Sequence, residues 1–212
     1  AKIFAKQQEK LRTNYFDYYL VHDMNNFNYE KAKKFGVLEF VKAKRSSGEI
    51  KCLGFSCHDT PEFLDKVLTE NPYFEFVQLQ INYLDWESAG IQARKCYEVC
   101  EKHNKKVIVM EPVKGGTLAN PPEQVKTMLK KAHADWSPAE WAIRFAASLK
   151  NVAVVLSGMS NFEQLDENTT FMQDFTPLSQ ADFDLLLKAA EMIRQTIAIP
   201  CTGCRYCVEA SH

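Results

Sequence analysis

The sequence predicts an α/β fold built on a mainly parallel sheet, and three observations lead there. Short apolar runs alternate with stretches of helical periodicity along the chain. Strands separated by helices imply parallel pairing through right-handed crossovers. No run is followed by a Gly-x-Gly-x-x-Gly helix start, so the fingerprint of open dinucleotide-binding sheets is absent and a closed (β/α)8 barrel is favoured. About five strand–helix units are legible where such a barrel has eight, so the barrel expected is an incomplete one.

Taken in order, Ala1 to Leu11 reads as a charged amphipathic helix already under way, with no signal sequence. Phe16 to His22 follows as a strand. Its unbroken Tyr18-Tyr19-Leu20-Val21 run is that of a strand covered on both faces, and it stops on His22 and Asp23. The next helix spans Phe35 to Ser46, then come a strand over Lys51 to Cys57, a helix over Pro61 to Glu70 and a strand over Phe76 to Ile81. A helix from Ile91 to His103 leads into the strand Lys106 to Met110, followed by helices at Pro122 to Ala132 and Pro138 to Leu149. The last of these opens on Ser137-Pro138-Ala139-Glu140, which supplies a cap, a proline in the first turn and an acid near the positive helix end. Val152 to Ser157 is the fifth strand, Phe162 to Thr170 an amphipathic helix, and Gln180 to Gln195 the last helix, started by Ser179 and patterned by Phe183, Leu186, Leu187 and Ala190. Residues 1–198 therefore read as one partial barrel, and residues 199–212 as the start of a different motif.

The composition narrows the function. Of the 212 residues, 46% are hydrophobic and 25% charged, the balance of a soluble globular protein, with no apolar run near the length of a membrane span. A net charge of −1 from 26 basic and 27 acidic residues leaves no electrostatic footprint for nucleic acid or an anionic membrane, which points to a small-molecule partner. Seven cysteines without an even framework fit a reducing cytoplasm. Cys96 and Cys100 lie four apart on one helix face, a spacing that would suit a metal, but they read as small core residues. Phe74, Phe76, Trp136 and Trp141 read as packing residues, and the Lys42-Ala43-Lys44-Arg45 and Lys130-Lys131 runs as solvated helix faces.

Polar residues gather at the carboxyl ends of the predicted strands, where parallel folds place their chemistry: His22 and Asp23, then Ser56, Cys57, His58 and Asp59, then Gln78, Gln80 and Asn82, then Glu111 and Ser157. His22, His58, Glu111 and the two aspartates are ligand types for a metal-dependent barrel hydrolase, although no tight His-x-His or His-Glu-x-x-His spacing accompanies them. A second reading of the same residues is a binding face for a cofactor and a polar substrate, and a third is a non-catalytic nucleotide-binding module. Val113-Lys114-Gly115-Gly116 follows a strand, and its paired glycines let the backbone approach an anion. Ser157-Gly158-Met159-Ser160-Asn161 runs straight into a helix start, offering free amides and the helix dipole to a second anion. Two such loops after the last two strands match the recurrent phosphate site of barrels.

In order and spacing, Asp17-Tyr18-Tyr19-Leu20-Val21-His22, Gly54-Phe55-Ser56, Gln78-Leu79-Gln80-Ile81-Asn82, Glu111-Pro112-Val113, Pro138 to Arg144, and Ser157 to Asn168 resemble the aldo-keto reductase superfamily. More narrowly, the chain resembles the bacterial and archaeal members that carry a C-terminal ferredoxin-like Fe–S extension. The resemblance implies a (β/α)8 TIM barrel that binds NADP(H), with NAD(H) the alternative, and reduces a small-molecule aldehyde or ketone to an alcohol. It implies that His22 is the histidine of an Asp-Tyr-Lys-His tetrad, orienting the carbonyl. The Asp, Tyr and Lys of that tetrad belong to three upstream strand–loop units, so the residues here correspond to about strands 4 to 8 and the chain by itself is expected to be inactive. By the same match Ser56 and Gln78 bind the nicotinamide carboxamide, with Cys57 where an asparagine is usual and Met110 where many members stack a tyrosine. Val113, Lys114, Gly115 and Gly116 cover the pyrophosphate, and Gly158, Ser160, Gln164 and Asn168 fall on the adenosine-phosphate and adenine positions. Gln164 stands where members preferring NADP often carry arginine. Cys201, Cys204 and Cys207 resemble the opening of a Cys-x2-Cys-x2-Cys-x3-Cys-Pro motif for a 4Fe-4S cluster, with Ser211 and His212 in place of its Cys-Pro. A longer parent protein would hold the cluster and meet an electron-transfer partner through it, and this truncated motif would leave reactive free thiols.

Overall fold

The computed structural model describes residues 2–196, and the chain divides into two compact units. Among the described residues, the first comprises 2–80, 94–110 and 151–155, and it contains the five-stranded sheet. Helix α1 (Lys2–Leu11) precedes strand β1 (Phe16–Met24), helices α2 (Asn26–Lys34) and α3 (Val37–Ser46), strand β2 (Ile50–Cys57), helix α4 (Pro61–Glu70), strand β3 (Phe76–Gln80), helix α5 (Ala93–Lys102), and strands β4 (Lys106–Met110) and β5 (Val152–Val155). The five strands pair in chain order, β1-β2-β3-β4-β5, and every pairing is parallel. That is the sheet the alternation predicts.

Local chemistry explains several boundaries. Thr60 caps α4, its hydroxyl accepting from the Phe63 amide, and Pro61 occupies the first helical turn. Phe63, Leu64, Val67 and Leu68 then form the buried stripe of α4. Cys96 and Cys100 are buried on α5, as core residues should be. Helix α2 is missed by the periodicity because its sequence, Asn-Phe-Asn-Tyr-Glu-Lys-Ala-Lys-Lys, buries only Tyr29 and Ala32. The Asn25 side chain, which accepts from the Asn28 amide, is its start signal.

Registers place Leu20, Gly54 and Phe76 in one row across the sheet, and Ser56, Gln78 and Ile108 two residues on, in the next row of the same face. Gly54 is required in its row. A Cβ built there would lie 2.5 Å from the Phe76 carbonyl oxygen and 2.6 Å from its ring. One expectation is corrected. β1 is not covered on both faces: Tyr18 is 60% exposed and only Met24 of the strand is buried. An unbroken apolar run does not reveal whether a strand lies inside a sheet or at its edge, and among the described residues β1 and β5 each pair with a single neighbour.

Among the described residues, the second unit comprises 81–93, 111–150 and 156–196. Its elements are a short 3-10 turn (Thr117–Ala119) and helices α6 (Glu123–Ala132), α7 (Pro138–Ala147), α8 (Phe162–Gln173) and α9 (Gln180–Thr196). Helix α7 is its core, with every residue from Glu140 to Ala146 buried. The buried Arg144 pairs with Glu140 at 2.8 Å and lies 4.3 Å over the Trp136 ring, which itself stacks on His133. Helix α8 buries none of its residues, and Phe162 is 84% exposed. No helix among the described residues is long and apolar enough to cross a membrane.

Candidate functional site

Two groups of the sequence-selected residues emerge, one in each unit. In the sheet unit, β1 kinks where its register with β2 shifts between Val21 and Met24, and Asp23 there takes a positive φ of 53°. The Asp23 amide is turned onto the Ser56 hydroxyl, which accepts it at 2.8 Å. Ser56 is fully buried, and a hydroxyl that accepts one bond keeps its own O–H to donate. Gln78 is the register partner of Ser56 on β3, and its amide Nε2 lies 3.3 Å from the Met110 sulfur at the end of β4. His22 is exposed, two residues beyond Leu20 in the strand alternation. The Asp23 carboxylate is held by Asn25 at 3.3 Å and Asn28 at 2.9 Å. Cys57 is buried, and desolvation pushes its thiol up to about 12, so it is neutral and inert at ordinary pH.

In the second unit, the loop from Glu111 to Gly116 is built from unusual backbone. Glu111, Lys114, Gly115 and Gly116 all have positive φ, at 56°, 51°, 57° and 89°. Two of these are not glycine, a conformation that costs roughly 1 kcal/mol or more per residue and persists only where neighbours enforce it. The enforcing contacts are visible. The Glu111 carboxylate accepts the Gly115 amide at 2.6 Å, the Glu111 carbonyl accepts from Asn82 at 3.0 Å, and the Lys114 ammonium reaches both Asp85 carboxylate oxygens at 2.7 and 2.8 Å. Asp85 is absent from the residues singled out by sequence. Its signal is the Asn82-x-x-Asp85 turn, closed by the Asp85 amide on Asn82 at 2.9 Å and by Asn82 on the Asp85 carboxylate at 2.8 Å.

The second anion loop needs a correction. Its amides are not all free: the Gln164 carbonyl oxygen accepts from the Ser160 amide at 2.8 Å, and the Asn161 side chain accepts from the Gln164 amide at 2.9 Å. This is a reciprocal cap on α8, formed because an asparagine stands at the helix start with a glutamine three residues on. Asn168 donates to Ser157 at 3.3 Å, and Gly158 is exposed. The metal reading finds no ligand set: among the described residues no three His, Cys, Asp or Glu side chains are gathered to hold an ion. Cys201, Cys204 and Cys207 lie outside the described residues.

The sequence model of the Aldo/keto reductase family matches residues 1–191. Among solved structures, an aldo-keto reductase from Bacillus halodurans in its holo form is 19% identical with a TM-score of 0.70, over 89% of this chain and 65% of that one. An aldo/keto reductase from Klebsiella pneumoniae, in complex with NADP and acetate, is 19% identical with a TM-score of 0.69, over 88% of this chain and 63% of that one. A third, from Brucella melitensis, is 20% identical with a TM-score of 0.66, over 89% and 66%. The chain thus spans about 65% of the length of the structures it resembles. At this identity the likeness is one of fold. No curated protein matches the chain.

Proposed function

The chain belongs to the aldo/keto reductase family, and from that premise we propose that it forms the cofactor-binding part of an NAD(P)H-dependent reductase of small-molecule carbonyls. Five parallel strands in chain order support reading them as consecutive strands of an eight-stranded barrel, and the family match of His22 is what assigns them as four to eight. The observation that carries the proposal is the Ser56–Gln78 pair: a buried hydroxyl with its hydrogen still to donate, in register with a side-chain amide, at the carboxyl end of adjacent parallel strands. A primary carboxamide presents one carbonyl acceptor and one NH2 donor, and this pair offers partners for both. The residues therefore fit a nicotinamide.

In this reading a bound nicotinamide nucleotide supplies the hydride. Ser56 and Gln78 fix the rotation of the ring by its carboxamide, and Met110 takes the place of a stacking side chain with a softer, more adaptable contact. His22, at the tip of β1, orients the substrate carbonyl through its ring N–H. Val113, Lys114, Gly115 and Gly116 present backbone to the pyrophosphate, and Gly158, Ser160, Gln164 and Asn168 serve the adenosine end. Gln164 carries no charge to pair with a 2′-phosphate, so discrimination between NADP and NAD is expected to be modest. With no counterpart to the tetrad's Tyr and Lys among these residues, the proton donor must come from elsewhere in a barrel of this kind, and the chain assayed by itself is expected to bind without turnover. Cys201, Cys204 and Cys207 would supply thiolates to an iron–sulfur cluster in a longer parent, which would then have an electron-transfer partner.

The test is binding. Titration of the chain with NADPH, followed by energy transfer from tryptophan to the nicotinamide, should saturate, and Ser56→Ala with Gln78→Ala should raise the dissociation constant by about tenfold or more. Absence of binding at millimolar nucleotide would reject the proposal.

A further inference from the structure

Resting on the nucleotide-binding reading above, we propose that Asp85 is a positioning residue for the anion-covering loop: it holds Lys114, and through it the strained Glu111–Gly116 backbone, in the shape that meets the pyrophosphate. A rigid base and a costly loop lie within one unit. The base is the segment from Asn82 to Trp86, all of it buried. Tyr83 packs against Phe145, Trp86 against Phe145 and Phe183, and the Leu84 carbonyl accepts from Arg194 of α9 at 2.9 Å. Asp85 sits in the middle of that segment with its carboxylate 5% exposed, whereas Lys114 is 34% exposed.

The loop, by contrast, contains four positive φ values, two of them at residues with a Cβ. Such a backbone relaxes unless something on a firmer support restrains it. Lys114 is both a strained residue and the one whose side chain reaches the base, with two short charge-assisted bonds to one carboxylate. Glu111, the other strained residue, is tied to the same turn by Asn82. Pairing also has an electrostatic consequence. With Asp85 compensating its charge, Lys114 brings little net positive charge to the ligand, so the loop meets an anion mainly through its backbone amides.

The experiment compares Asp85→Asn, Lys114→Met and the double variant in the full chain by two readouts. Amide hydrogen exchange reports the loop directly: each single variant should speed exchange at residues 114–117 by about tenfold, and the double variant should add little to either, because all three break one link. Binding reports the ligand. Asp85→Asn should weaken NADP+ by about tenfold while shifting the affinity for nicotinamide mononucleotide, which lacks the pyrophosphate, by less than about twofold. Unchanged exchange overturns the proposal, as does faster exchange with unchanged NADP+ affinity. Tighter NADP+ binding by Asp85→Asn also overturns it, since Asp85 would then be competing with the ligand for Lys114. A wild-type chain that binds neither nucleotide rejects the nucleotide-binding reading instead, and with it the role toward a ligand, while the exchange arm still decides whether Asp85 restrains the loop. Should Asp85→Asn fail to fold, Lys114→Met, at a partly exposed position, carries the exchange measurement and the comparison of the two nucleotides.

Discussion

Replacing Gly54 by alanine should damage the sheet and the nicotinamide end of the site together. The added Cβ would sit 2.5 Å from the Phe76 carbonyl oxygen and 2.6 Å from two atoms of the Phe76 ring, where ordinary contact begins at 3.4 Å. Rotating the ring relieves only one of these clashes, because the carbonyl is backbone. β2 and β3 must therefore part by about 0.9 Å at this row, enough to take a ladder hydrogen bond of about 2.9 Å out of bonding range. Overpacking of a core costs about 1–3 kcal/mol, and one or two lost hydrogen bonds add about 1 kcal/mol each, so the expected loss is about 2–5 kcal/mol. That is a large share of the roughly 5–15 kcal/mol that holds a domain together. Urea unfolding followed by tryptophan fluorescence measures it as a fall in midpoint at constant slope. NADPH affinity should fall further than stability requires, because Ser56 and Gln78 form the next row on the same face of the sheet. An alanine variant within about 0.5 kcal/mol of the parent would refute the close approach, and with it the register that pairs Ser56 with Gln78.

Three further outcomes are expected. Gln164→Arg removes the acceptor that now caps the Ser160 amide and adds a cation, so the ratio of NADP+ to NAD+ affinity should rise about tenfold, read by parallel titrations. Arg144→Met should cost about 3–5 kcal/mol in thermal or urea unfolding by stranding the buried Glu140, and coupling it with Glu140→Leu should recover much of that loss. Alkali should destabilise the chain. Burial pushes the thiols of Cys57 and Cys96 up to about 12 and about 11 and drives that of Cys100 well above its ordinary value, so the unfolded chain releases protons from pH 9 that the native chain retains. Stability should therefore hold below pH 9 and fall from there to about pH 11, by about 1.4 kcal/mol per pH unit for each such thiol. A urea midpoint unchanged between pH 8 and pH 10.5 would contradict the buried state of these cysteines.

What the sequence made legible follows the range of the forces involved. Strand β4 is found to the residue because Lys106 to Met110 is a compact β-branched run, and α4 likewise because Thr60 and Pro61 mark its start within a single turn. Helix α2 escapes because its apolar stripe is two residues wide and its start signal, Asn25, lies in an asparagine-rich stretch that reads as loop. The exposure of β1 escapes for a different reason: edge and interior strands differ in their neighbours, which a run of Tyr, Leu and Val does not encode. In the candidate site, Ser56, Gln78 and the Gly115-Gly116 pair are visible as residue types at strand ends. Asp85 is not, since its partner Lys114 lies 29 residues away in sequence and only the fold brings them together. The capped amide of Ser160 was within reach of the sequence, as Asn161 and Gln164 stand at capping-box spacing.

Strand order in this sheet equals chain order, and that has a bearing on how the protein is made. During synthesis β1 is made before β2, and each later strand from β2 to β5 finds its partner already synthesised one crossover earlier. Between β1 and β5 each pairing closes over one crossover of one or two helices, so its loop-closure cost stays low. The sheet can grow vectorially, one unit at a time, with the newest strand always serving as the template for the next.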